Sequence, residues 1–244
     1  MAAASASAGT AFAAGDESCF NTSSTYGSLL AADLDGTVEP PAGARNVMVA
    51  LGSDTSSLAF WSQSSGTGAS SGPASATVVG YTIPCSGGGA CIPQLNSRTN
   101  LDSLGDRLMS RFAVRWNQAG GYGIGVVTHS VAAGSVTGVR WYRIRVESTG
   151  GASVVDSGTW SPDTSLHRWM ASAALNTASE MAIGYSASSA SAYPSIRVAG
   201  RTTTSGQFDV DETVIRPGLG SQTSTYSRWG DYTQMAVDPD GCTF

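Results

Sequence analysis

The chain of 244 residues contains no lysine, and its 13 basic residues, all arginine, are outnumbered by 18 acidic ones. A protein that binds nucleic acid normally carries a cluster of basic residues on one face. A net charge of -5 without such a cluster excludes nucleic acid as a partner. The sequence also lacks any apolar run near the length of about 18 residues that a membrane-spanning helix requires, so we expect no membrane span.

Charged residues are also few, at 13% of the chain, but hydrophobic residues make up 41%, too many for a disordered protein. No window of about 12 residues repeats its apolar positions with a helical period. Instead, the 30 glycines and 37 serines separate short runs of β-branched and aromatic residues, which predicts an all-β protein. The predicted strands span residues 46–51, 57–62, 76–83, 107–115, 122–130, 138–147, 153–160, 168–175, 181–187, 195–202, 208–215 and 229–237, and residues 64–75 are predicted as a loop.

The most informative pattern is a repeat with a period of about 60 residues. Arg45, Arg107, Arg168 and Arg228 each precede a similar apolar run, at separations of 62, 61 and 60 residues. A unit of this length with about four strands is typical of a β-propeller blade. We therefore expect a propeller of about four blades over residues 17–244, after a flexible Ala/Ser-rich segment at 1–16. Since the chain stops one residue into an apparent strand, we expect either a fragment of a larger propeller or a ring closed by the N-terminal segment.

Four cysteines constrain the cellular compartment. Cys85 and Cys91 flank a flexible Ser-Gly-Gly-Gly-Ala stretch and are predicted to form a disulfide, since their spacing does not match a zinc site. Cys19 and Cys242 lie near opposite ends, and they pair with each other if the ends meet or with cysteines outside this chain. One close pair in an even count favours an oxidising, extracellular location.

Several segments together resemble a known family, the sialidase-like (BNR-type) β-propeller domain of large secreted bacterial exoproteins. They are LLAADLDG at 29–36, CIPQ at 91–94, LDSLGDRLM at 101–109, GVRWY at 138–142, HRWM at 167–170 and RWGDY at 228–232. The resemblance covers about residues 19–244. It implies a secreted propeller, often without an assigned activity, and a parent protein that continues beyond both ends of this chain.

The repeat places Arg107, Arg168 and Arg228 at the same position in successive blades. In a propeller they would meet at one mouth of the channel and bind a carboxylate, sulfate or phosphate through paired hydrogen bonds. Tyr185, Trp169 and Trp229 complete the predicted ligand-binding set. The structural alternative is that each arginine pairs with a nearby carboxylate, such as Asp106 or Asp231, and ties blades together.

The family resemblance also raises a hydrolase of sialidase type, which would use a tyrosine with a glutamate and an aspartate as acid and base. The candidates are Tyr232, Asp231, Asp106 and His167, whereas none of the five glutamates occupies a repeated position. The first hypothesis is therefore an extracellular module that binds a glycan or another anionic surface ligand, with the hydrolase as the alternative.

Asp33 and Asp35 resemble the beginning of a calcium loop, but position 44, where such a loop needs a bidentate acid, is alanine. Calcium held with distant ligands and a plain Asp-Gly turn are the two interpretations, and we expect no other cofactor. A second copy of the chain is a further expected partner, because an open propeller exposes blade edges.

Overall fold

The computed structural model describes residues 20–64, 67–203 and 206–244, and it confirms the all-β class. The predicted flexible segment at 1–16 and Cys19 lie outside these residues. The strands are β1 Leu30–Leu34, β2 Arg45–Leu51, β3 Ser57–Ser64, β4 Ser70–Thr77, β5 Ala90–Ile92, β6 Leu101–Asp102, β7 Met109–Asn117, β8 Tyr122–Ala133, β9 Val136–Glu147, β10 Ala152–Trp160, β11 His167–Leu175, β12 Met181–Ser189, β13 Ala192–Arg201 and β14 Val210–Arg216. One helical turn, Cys85–Gly88, precedes β5, and no helix in these ranges is long and apolar enough to span a membrane.

Twelve strands form three antiparallel meanders of four strands each, which are β1–β4, β7–β10 and β11–β14. Side chains alternate between the faces of a sheet, and in β7 Phe112 and Val114 enter one core whereas Ala113 enters another. The second meander is therefore the middle layer of three. A Cβ on Gly125 would lie 2.3 Å from the Phe112 ring, so glycine there makes room for this packing.

Strand β1 joins the first two meanders into one eight-stranded sheet. Leu30 pairs antiparallel with Val49 of β2, and Leu34 pairs parallel with Val114 of β7. The sheet curls until its far edges, β4 and β10, approach each other. The largest core lies inside this curl, where Phe60 and its neighbours on β2 and β3 pack against β7, β8 and β9.

The third meander packs against the opposite face of the middle layer. Small side chains such as Ala113 and Ala173 let the two sheets approach closely, while Trp141 and Ile183 fill the space around them. The hydroxyl of Thr128 on β8 donates to the carbonyl of Ala171 on β11 over 2.8 Å, which fixes the two sheets relative to each other.

The outward faces of the first and third meanders are covered by segments without strands. Phe20 and Tyr26 pack on the outer face of the first meander, around Trp61. Residues 217–244 cross the third meander, where Thr233 Oγ1 donates to Met170 O over 3.1 Å. Both outer layers are thus shielded by chain that precedes β1 or follows β14.

Two strand predictions were wrong. Residues 229–237 form no strand, and the strand predicted at 76–83 lies instead at Ser70–Thr77, within the predicted loop. β4 consists of serine, glycine, alanine, threonine and proline, and backbone pairing with β3 holds it in place although nearly every residue is exposed. Strands β1, β5 and β6 were missed because they are short and lack a clear alternation.

Candidate functional site

Loops from three parts of the chain meet where β7 and β11 begin, a region termed here the disulfide end. It comprises the Cys85–Cys91 hairpin, β5, β6, and residues 101–108 and 224–233. Main-chain hydrogen bonds join these pieces, from Ser103 N to Gly89 O over 3.0 Å and from Asp102 N to Ser227 O over 2.8 Å. The Cys85–Cys91 disulfide is present, as predicted.

Two of the predicted ligand-binding residues, Trp169 and Trp229, pack into the apolar core beneath these loops. Trp169 is fully buried and Trp229 is partly buried. The exposed aromatic rings belong to neighbours of Arg228, namely Tyr226, at 81% exposure, and Tyr232, at 96%. Both exposed tyrosines thus lie within four residues of Arg228 in the sequence.

Arg107 lies at this end with its side chain 43% exposed. Its Nε and Nη2 each donate to a different carboxylate oxygen of Asp106, both over 2.9 Å. The hydrogen bond from Arg107 lowers the pKa of Asp106, with a smaller contribution from the charge of Arg228. The two repeat arginines therefore act on the same carboxylate.

Arg228 is equally accessible, at 42% side-chain exposure, and its Nε donates to Asp231 Oδ2 over 2.7 Å. The other oxygen, Asp231 Oδ1, is buried without a hydrogen bond from any described residue. Each repeat arginine at the disulfide end thus has one close carboxylate, and each keeps part of its guanidinium in contact with solvent.

The backbone of the disulfide end is strained. Eight non-glycine residues in the described ranges have positive φ. Four of them, Cys85, Ser86, Leu104 and Ser227, lie here, and Met170 lies beneath these loops on β11. Bulky side chains such as Leu104, with φ of 42°, rarely adopt this conformation, and strain of this kind concentrates where a fold shapes a functional surface.

Arg168 has a different environment, because its side chain is only 1% exposed. Its Nε donates to Glu212 Oε2 over 2.6 Å, and Nη1 donates to Leu166 O over 3.0 Å. Asp163 accepts a further hydrogen bond from Nη2. The structure therefore brings Arg107 and Arg228 together near Asp106, but it buries Arg168 in a separate network.

That network also contains Tyr185, the remaining predicted ligand-binding aromatic. Its hydroxyl donates to Glu212 Oε2 over 2.6 Å and accepts from Trp160 Nε1 over 2.8 Å. Burial raises the pKa of Tyr185 far above its ordinary value. Burial alone would raise the pKa of Glu212 as well, but hydrogen bonds from Arg168, Tyr185 and Arg197 lower it.

Both histidines have hydrogen-bonding neighbours within the fold. His167 begins β11, and its Nδ1 accepts from Thr137 N over 3.2 Å, while burial lowers its pKa. His129 is fully buried on β8, with Nε2 3.0 Å from the Tyr142 hydroxyl. Burial, with a smaller contribution from the charge of Arg140, lowers the pKa of His129 to about 3.

Asp33 and Asp35, the predicted calcium ligands, both bind Arg111 on β7. The guanidinium thus supplies the positive charge that a calcium ion would bring. In the part of the chain that the structure describes, no group of three or more His, Cys, Asp or Glu side chains is arranged to hold a metal.

Sequence reasoning missed Glu212 and Arg197, which complete the network around Arg168. They lie on β14 and β13, and Glu212 is 44 residues from Arg168 in the chain. No local pattern marks them, because Glu212 is the only residue of β14 that is not exposed. Comparison of the chain with family models, curated proteins and solved structures returns no match.

Proposed function

We propose that this protein is an extracellular module, built as part of a sialidase-like β-propeller, that binds an anionic glycan at the disulfide end. The observation that carries the proposal is the contrast in exposure between the repeat arginines. Arg107 and Arg228 keep 43% and 42% of their side chains accessible, whereas Arg168 keeps 1%. Two arginines are therefore available for a ligand.

The propeller part of the proposal is supported by the three meanders. Each has four antiparallel strands, and the meanders pack face to face in chain order, which is how blades pack in a propeller. Arg45 is the first residue of β2, Arg168 is the second residue of β11, and Arg107 lies two residues before β7. The fourth repeat, at Arg228, contributes a covering segment in place of a blade.

Chemistry favours an acidic sugar as the ligand. Guanidinium groups recognise carboxylate and sulfate oxygens through two parallel hydrogen bonds. Tyr226 and Tyr232 offer exposed rings beside Arg228, and aromatic rings give large amphipathic contacts at little entropic cost. A ligand that combines an anionic group with an apolar ring face matches both features, and the disulfide suits an extracellular setting.

The hydrolase alternative is less well supported. Tyr185 and Glu212 form a hydrogen-bonded pair, but Tyr185 is 1% exposed and beyond the reach of a sugar. Tyr232 is almost fully exposed, and the neighbouring Asp231 carboxylate is held by Arg228. An accessible tyrosine paired with an acid is not found at the disulfide end, so we favour binding without turnover.

A glycan array with matched acidic and neutral sugars tests this proposal. We expect binding to acidic glycans that is lost in the Arg107→Ala/Arg228→Ala double variant. The control is Arg145→Ala, which removes an arginine of similar exposure, 39%, also paired with one nearby carboxylate, Glu147, but at the opposite end of the sheets. Equal binding by both variants, or release of a fluorophore from a sialoside, would contradict the proposal.

A further inference from the structure

A second arginine cluster lies between the middle and third meanders, on the side away from the disulfide end. Arg143 of β9 and Arg201 of β13 face each other there, and Asp156 of β10 is paired in register with Arg143. The Arg201 guanidinium stacks over the ring of Trp141, 4.9 Å from its centroid. These four residues are termed the Arg143 site.

The carboxylate of this site is already engaged. Arg201 Nη1 lies 2.7 Å from Asp156 Oδ2, and Asp156 Oδ1 accepts from the backbone N–H of Ser157 over 2.8 Å. Arg143, in contrast, donates no hydrogen bond to any residue in the described ranges, and its Nε is buried without a partner. Arg201 therefore has an ion-pair partner, whereas Arg143 has none among the described residues.

A partly buried guanidinium without a hydrogen-bond partner lowers the stability of the folded protein. Arginine does not lose its proton in proteins, so a partly buried guanidinium must find hydrogen-bond acceptors or remain poorly compensated. Burial lowers the pKa of Arg143, and the charge of Arg201 lowers it further, while Asp156 opposes both effects. Asp209 also acts on Arg201, but it is fully exposed and its carboxylate binds Thr202.

We propose that the Arg143 site binds a small oxyanion, a carboxylate or a sulfate group, which accepts hydrogen bonds from Arg143 beside the positive charge of Arg201. The site is separate from the disulfide end, because Arg143 lies level with Ala113 in the middle of β7, whereas Arg107 precedes that strand. Its ligand class follows from the planar fork of guanidinium donors, which matches two oxygens of an oxyanion.

The test uses the full chain, with sodium sulfate and sodium acetate as probes against sodium chloride at equal ionic strength. The Arg143 Nε–Hε resonance, assigned from its absence in Arg143→Gln, reports directly on the site. We expect a saturable shift of this resonance and a saturable rise in Tm, and loss of at least about tenfold in affinity in Arg143→Gln. A larger response to sulfate than to acetate assigns the site to sulfate groups, and the reverse order assigns it to carboxylates.

Two controls separate this site from general salt effects and from the proposed glycan site. Arg145→Gln changes the next arginine on the same face of β9 and should retain binding. Arg107→Gln should also retain it, even if glycan binding is lost. Sulfate stabilises many proteins without binding to a site. The rise in Tm of Arg143→Gln with sulfate concentration therefore measures that background. The inference is overturned if wild type shows no saturable response, or if Arg143→Gln responds equally.

Discussion

Arg168 and Arg107 occupy equivalent positions in the repeat but have opposite environments. Arg168 is buried, with Glu212 and Asp163 around it, and it connects β11 to β14 and to the loop after β10. Arg107 is half-exposed, and among the described residues it binds only the adjacent Asp106. The difference shows that a repeated arginine can stabilise the packing of one meander and remain available for a ligand at another.

The sharpest test of this contrast is Arg168→Ala. Removing the guanidinium leaves the partly buried Glu212 with Arg197 and Tyr185 as its remaining partners among the described residues, and breaking a buried pair typically costs about 3–5 kcal/mol. We expect a loss of that size in the free energy of unfolding, measured with urea. If Arg168→Ala destabilises no more than Arg107→Ala, the distinction between the two arginines is wrong.

The buried His129 should make the stability of the fold depend on pH. The folded pKa of about 3 lies below the ordinary 6.5, so between these values the unfolded chain takes up a proton that the folded chain does not. Stability is therefore complete above pH 6.5 and is lost as the pH falls toward 3. Between pH 7 and about pH 4.5 we expect wild type to lose about 2 kcal/mol more than His129→Gln, measured by urea unfolding at both pH values.

His167→Gln is the matched control for His129→Gln, since His167 is only half-buried and should account for a smaller share of the acid sensitivity. Parallel pH profiles for wild type and His129→Gln would show that burial of this ring does not govern acid stability.

The disulfide end should tolerate change better than the interior network. The Cys85–Cys91 bridge closes a short loop. Cys85→Ser/Cys91→Ser should therefore lower the free energy of unfolding by about 2 kcal/mol or less, measured by thermal unfolding. The same variant should weaken glycan binding, because the hairpin supports the backbone near Asp106. Loss of the fold in this variant would place the disulfide end among the essential packing elements.

The smallest expected change in stability belongs to Arg107→Ala. Exposed ion pairs contribute about 0–1 kcal/mol, so its unfolding curve should nearly match that of wild type. Under the proposed function the same variant should lose glycan affinity, which separates the two roles in one protein. A large loss of stability would assign Arg107 to packing.

Sequence reasoning succeeded where the information was local. Strands β7, β8 and β9 contain runs of β-branched and aromatic residues and were predicted to within about three residues at each end, and the disulfide followed from close cysteine spacing. The strand predicted at 229–237, in the fourth repeat, is absent. Gly230 has a φ of +74°, which is not a strand conformation, and the chain there crosses the third meander. The partners of Arg168 could not be predicted, because Glu212 meets it only after three strands have paired.

The position of β1 has a consequence for synthesis of the chain from its N-terminus. Its first residues pair with β2, close by in sequence, but Ala32, Asp33 and Leu34 pair with Phe112, Ala113 and Val114, about 80 residues later. During translation the second half of β1 must wait, unpaired, until β7 leaves the ribosome. Strand β1 is thus fully paired only when β7 is in place, so we expect the first two meanders to unfold as one cooperative unit.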